Sequence, residues 1–259
     1  SGIIAKIGDD KFGKFLIEGF KREGVDTSHL KIAKKIPTGI VFVAVTKDGE
    51  RSMFAYRGAN AKITMREIDR NYIAQAKVLH VTGTMIEVAE KAMTYAKKSG
   101  VCVSFDPGSI LAERGLPYLN KALQKTDFFL PNETELKKIG ASTNIDRAAN
   151  KLLKIGISYI VVKRAKFGCQ IYTKKEKIAI PAFKVNVVDS TGAGDAFSAG
   201  FVVGYLRNLG LKEAAKLGNA TAAFCIARKG ARALPTKRQI DVFLKSVRQM
   251  SDQNINGSF

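Results

Sequence analysis

Val185-Asn186-Val187-Val188-Asp189-Ser190-Thr191-Gly192-Ala193-Gly194-Asp195, running on as AFSAGFVVGYL to Leu206, is the stretch whose reading decides the fold. Three of its first four residues are valine, which reads as a buried strand. Further on, Phe197, Phe201 and Tyr205 fall at i, i+4 and i+8, one face of a helix. Between the two lies a turn of small residues. A strand, a small-residue turn and a helix N-terminus together present unpaired N–H groups and a positive dipole end, which suits an anion and phosphate above all. Gly192 and Gly194 let a ligand come close to the backbone. Asp195 puts a carboxylate beside that anion. It would repel a resting phosphate, and the role that suits it is to take the proton of a hydroxyl attacking phosphorus. The plain alternative is a strand–helix turn whose Asp195 caps the helix.

The full string DSTGAGDAF resembles the C-terminal signature of the ribokinase-like (PfkB) carbohydrate kinases, D-[ST]-[ST]-G-A-G-D-x-F. No G-x-x-x-x-G-K-[ST] loop occurs in the chain, so the phosphate site is not of the Walker type. The resemblance implies an α/β fold: a three-layer sandwich around a mainly parallel sheet, with a small antiparallel β-lid. It also implies ATP-dependent phosphorylation of a sugar hydroxyl. Asp195 is then the base, and the backbone of Gly192, Ala193, Gly194 and Asp195 is the anion hole. Ribose, fructose, a ketoacid sugar of the 2-keto-3-deoxygluconate type and nucleosides stay open as acceptors. A nucleotide-binding paralogue without turnover is the non-enzyme alternative.

Size and composition agree with this. At 259 residues and 46% apolar content the chain can bury a large core. Cys102, Cys169 and Cys225 have no C-x-x-C spacing and read as reduced thiols of a cytoplasmic protein. No apolar run reaches the roughly 18 residues of a membrane span. The formal net charge is +20, but the basic residues are spread along the chain. That suits a solvated surface attractive to nucleotides better than a nucleic-acid interface.

Gly2–Ile7 reads as a strand. Asp9-Asp10 then starts a helix whose Phe12, Phe15, Leu16 and Phe20 share a face. This stretch is similar to one some distance into the PfkB pattern, so the expectation is a single domain over 1–259, N-terminally incomplete, with lid elements at about 38–60. Ile40–Val45 and Arg51–Tyr56, joined by Lys47-Asp48-Gly49, read as an antiparallel hairpin. In the family such strands cover the sugar and often pair two subunits, which implies a homodimer. Gly58-Ala59-Asn60-Ala61 resembles ribokinases, and Arg57 either meets a substrate carboxylate or faces solvent. From Val78 onward strands and helices alternate, as a mainly parallel sheet requires, with ligands beyond the strands' C-terminal ends. The tail from Ser251 reads as unstructured.

Further candidates come from the same resemblance. Asn132 and Glu135 match its N-x-x-E motif, which helps to place Mg2+ and phosphate; read locally, they are a capping box. Lys163 is expected at the nucleotide phosphates and Gly168 in the nucleotide turn, where Ala165 departs from the usual glycine. Asn219 is expected at the adenine, with Ala222 and Ala223 beside it. Asp189 is a candidate K+ ligand or an Asx-turn cap.

Overall fold

The computed structural model describes residues 1–45 and 51–256. The chain divides into two units, 1–76 with 83–101, and 77–82 with everything from Cys102 onward.

In the first unit, β1 (Ala5–Gly8) pairs in parallel with β2 (Leu30–Ala33) across α1 (Lys11–Arg22). Asp10 caps α1 by accepting from the Gly13 N–H at 2.8 Å. Its two oxygens also take the Thr38 N–H and hydroxyl, each at 2.7 Å. Thr38, fully buried, takes the Gly8 N–H in turn. The apolar face expected of α1 does not close over a core: Phe12 and Phe15 are exposed. β3 (Ile40–Val45) and β4 (Arg51–Tyr56) form a separate antiparallel sheet, Ile40 opposite Tyr56, as the hairpin pattern requires. The turn expected at Lys47–Gly49 lies outside the described residues. Val41, Phe42, Phe54 and Tyr56 of this sheet are exposed. Two helices follow, α2 (Arg70–Ala74) and α3 (Ile86–Lys98).

The second unit is the βα repeat. Strands β5 (Val78–Val81), β6 (Cys102–Phe105), β7 (Phe128–Phe129) and β8 (Tyr159–Lys163) lie side by side in parallel. β9 (Cys169–Tyr172) and β10 (Lys177–Ile180) extend the sheet as an antiparallel hairpin. Successive strand residues point to opposite faces, and both faces are apolar, as a covered sheet demands. The connections between strands are α4 (Gly108–Ala112), α5 (Gly115–Leu123), α6 (Glu133–Gly140) and α7 (Ile145–Leu153). Phe128, Leu130, Val161 and Ile171 pack under Phe197 and Phe201 of α8 (Ala193–Leu206) and Ala214 and Ala215 of α9 (Gly210–Ile226). Gly200 and Gly204 of α8 lie against Leu217, Thr221 and Ala214 of α9, with no room for a Cβ. The mainly parallel sheet and the small separate antiparallel sheet are as expected.

Two expectations fail. Val185–Val188 forms no strand. Val187 and Val188 are 63% and 57% exposed, and the N–H groups of Val188 and Asp189 both reach the Ile226 carbonyl at the end of α9. A valine run needs a ladder partner to become a strand, and here these N–H groups meet a helix end. The tail from Ser251 is also not irregular where it is described: α10 (Lys237–Asn256) runs on to Asn256, with Ile240, Phe243 and Leu244 packed against Leu217 and Ala220.

Candidate active site

Three adjacent parallel strands each deliver a residue at the C-terminal end. Asp106 follows β6, Asn132 follows β7, and Lys163 ends β8. Lys163 stands opposite Asn132 across an isolated parallel bridge, and its N–H donates to the Pro131 carbonyl at 2.9 Å.

The turn into α8 is built by Gly192, whose φ of +82° lies in the left-handed region. A Cβ there would also stand 2.6 Å from the Ala231 carbonyl oxygen, so only glycine fits. Asp189 holds the turn from the other side. One of its oxygens accepts from the Thr191 N–H at 2.9 Å and the other from the Gly230 N–H at 3.1 Å. The Asx-type reading of Asp189 is therefore what the geometry contains, and it ties this turn to the loop after α9.

A helix leaves the N–H groups of its first turn without carbonyl partners. In α8 the Ala193 N–H leans on the Ser190 carbonyl at 3.3 Å, and Gly194 and Asp195 carry the other N–H groups of this first turn. Space at Gly194 is open: the nearest atom to a Cβ there is Lys163 Nζ at 3.5 Å. Asp195 is exposed in this first turn.

Lys163 is not a surface lysine. Its ammonium sits 2.5 Å from Asp106 Oδ2, and both side chains are largely buried. Asp106, only 5% exposed, also accepts from Ser198 Oγ at 3.2 Å and from the Gly108 N–H at 3.3 Å. Sequence reading passed over Asp106 as part of a loop and Ser198 as part of a helix. The available signal was an Asp directly after a strand, at the sheet edge where ligands bind.

Asn132 and Glu135 form a full capping box. Asn132 Oδ1 accepts from the Glu135 N–H, and Glu135 Oε2 accepts from the Asn132 N–H, both at 2.8 Å. Glu135 is 7% exposed, and burial pushes its pKa up. The Asn132 N–H and the Lys163 charge oppose that shift, while the negative Asp106 adds to it.

Asn219, the residue expected at the adenine, lies in α9. It is 6% exposed, and its amide donates to the carbonyls of Ile180 and Pro181 at 3.2 and 3.0 Å. Gly168 likewise serves the backbone. Its φ is +82°, and a Cβ would stand 2.1 Å from the Ile180 carbonyl oxygen. Ala165 also has positive φ, +47°, which explains why glycine suits that place. In the first unit, Arg57 Nη2 donates to the Gly83 carbonyl at 2.7 Å. Half-buried Asn60 lies in a short 3-10 turn, its N–H on the Arg57 carbonyl. Among the described residues no group of three or more His, Cys, Asp or Glu could hold a metal by itself, and no helix is long and apolar enough to cross a membrane.

Comparison with known proteins gives one family. The family model described as pfkB family carbohydrate kinase matches residues 1–237. An uncharacterized sugar kinase of Archaeoglobus fulgidus is 35% identical, over 88% of this chain and 92% of that protein. An ATP-dependent ribose-1-phosphate kinase of Halopiger xanaduensis is 30% identical, over 94% of this chain and 80% of its own length. Among solved structures, the ribokinase of Thermotoga maritima superposes with a TM-score of 0.85 at 29% identity, covering 94% of this chain and 81% of that one.

Proposed function

This chain belongs to the pfkB family of carbohydrate kinases and is an ATP-dependent carbohydrate kinase, and within that activity we propose that Asp195 is the general base and that the N–H groups of Gly194 and Asp195 receive the transferring phosphoryl group. The observation that carries this reading is the first turn of α8. An exposed carboxylate and the first-turn N–H groups of Gly194 and Asp195 share it, fixed by a glycine that no other residue can replace.

The acceptor is a sugar hydroxyl. As its oxygen attacks the γ-phosphorus of ATP, its proton passes to Asp195. The new O–P bond forms while the bond to the β-phosphate oxygen breaks, and ADP leaves. Backbone donors set in place before the reaction stabilise the charge on the phosphoryl oxygens, about 3–4 kcal/mol for each well-placed donor. Lys163, with its ammonium beside Gly194, adds positive charge at the same place. Magnesium bound together with ATP would neutralise phosphate charge. The buried Glu135 carboxylate suits its water shell, because only one of its oxygens is committed to the capping box.

Arg57 and Asn60 are the sugar-side residues of this reading, with Arg57 suited to an acidic sugar. The exposed apolar face of the β3–β4 sheet suits pairing of two copies of the chain. A K+ ion at Asp189 would have to share oxygens that already accept two N–H groups, and the reading does not require one.

The test is a screen of ribose, fructose, ribose 1-phosphate, ketoacid sugars and nucleosides with ATP, following ADP release. Turnover with one acceptor that disappears in Asp195→Asn supports the reading. Equal turnover in parent and variant sinks Asp195 as base.

A further inference from the structure

Asp106 has no part in the reaction as derived above, yet it is the most heavily engaged buried carboxylate near the site. A buried carboxylate is costly unless it is paired and hydrogen-bonded. Here one oxygen takes the Lys163 ammonium and the Ser198 hydroxyl, and the other takes the Gly108 N–H. The two side-chain donors come from different elements. Lys163 ends β8, and Ser198 sits one turn into α8, three residues after Asp195. Asp106 therefore fastens the last residue of β8 to the first turns of α8. A lysine has four rotatable side-chain bonds and a strongly hydrated head, and unpinned it would sample many positions. Pinned on Asp106, its Nζ stands 3.5 Å from where a Gly194 Cβ would be, beside the first-turn N–H groups.

We propose that Asp106 is a positioning residue for the phosphate site: it holds the Lys163 ammonium at the N-terminal end of α8, so that side-chain cation and backbone donors converge on one anion. The proposal rests on the kinase reading above. It makes a prediction whose sign is opposite to simple electrostatics. Asp106 is a negative charge close to bound phosphates, so as a mere charge its neutralisation would tighten nucleotide binding. As a positioning residue its loss weakens binding.

The test uses the full chain and calorimetric titration with ADP and with adenosine, in EDTA, so that no metal contributes. Asp106→Asn should weaken ADP about tenfold and leave adenosine unchanged. Lys163→Met should give the same loss, and the double variant should lose no more than either single one, because the two act as a unit. Should Asp106→Asn fail to fold, Ser198→Ala carries the test. It keeps both charges but removes one of the bonds on Asp106, and ADP should weaken about twofold to threefold with adenosine unchanged. ADP binding equal to or tighter than the parent's in Asp106→Asn, or losses that add in the double variant, would overturn the positioning role alone. A parent chain that binds ADP no better than adenosine would instead overturn the kinase reading beneath it.

Discussion

The side-chain amide of Asn219, in the middle of α9, holds the carbonyl of Pro181 at 3.0 Å, just beyond the last strand of the sheet. With its second bond to Ile180 it ties the exit of β10 to the helix that packs on α8. Asn219→Ala removes both hydrogen bonds from part-buried carbonyls, which costs about 0.5–1.5 kcal/mol for each bond lost. We expect lower stability in urea unfolding, with nucleotide affinity of the folded fraction within about twofold of the parent, by the order of effect expected for a group outside the site. A large loss of adenosine affinity at unchanged stability would instead make Asn219 a base contact.

Asp195→Asn should lower kcat by about 10²–10⁴, the range for removing a general base. Nucleotide affinity should hold or rise slightly, since a negative charge next to phosphate disappears. Single-turnover kinetics with ATP and the acceptor found by screening separates the two effects. A kcat near the parent's ends the assignment.

Ala165 sits at φ +47°. A left-handed conformation costs a non-glycine residue about 1–2 kcal/mol. Glycine would relieve that strain but give back about 0.4–1 kcal/mol through the freer unfolded chain. Ala165→Gly should therefore stabilise the fold modestly, by about 0.5–1 kcal/mol as the difference of those terms. A lower unfolding midpoint in the variant would show that the strain is not borne at this residue.

What the chain revealed before its structure follows the range of the interactions. The βα alternation, the hairpin at Ile40–Tyr56 and the start of α8 are local patterns, and each is where periodicity and turn residues put it. The capping box at Asn132 and Glu135 is local too, and both of its bonds are present. Val185–Val188 misled because a valine run says nothing about whether a neighbouring strand exists, and a strand is a long-range object. The position of Asp106 after a strand was a local signal, but the groups it binds were illegible for the same reason: Lys163 and Ser198 lie 57 and 92 residues away. Asn219 was read by analogy as a ligand contact. Its partners 38 and 39 residues upstream, which no spacing rule announces, turn it inward.

Glu135 supplies a pH test with a defined sign. Its pKa is raised in the folded chain, chiefly by burial, so the folded state holds its proton more tightly than the unfolded state does. Between the unfolded and folded pKa values the native state binds more protons, and stability falls as pH rises through that window. The ionised form is thus the destabilising one. Glu135→Gln keeps a side-chain oxygen for the Asn132 N–H while removing the buried charge. We expect Glu135→Gln to gain in stability on the parent as pH rises through that window, with the gain shrinking as pH falls toward the ordinary carboxylate range and constant below it. Magnesium should show the reverse. The carboxylate must be ionised to hold the ion's water shell, so in the parent the apparent magnesium requirement should climb on acidification from a higher pH than an ordinary glutamate would give. In Glu135→Gln the requirement should be raised at pH 7 and nearly flat with pH. Magnesium titrations of activity at several pH values decide this, and curves that overlay for parent and variant would leave Glu135 as a helix cap alone.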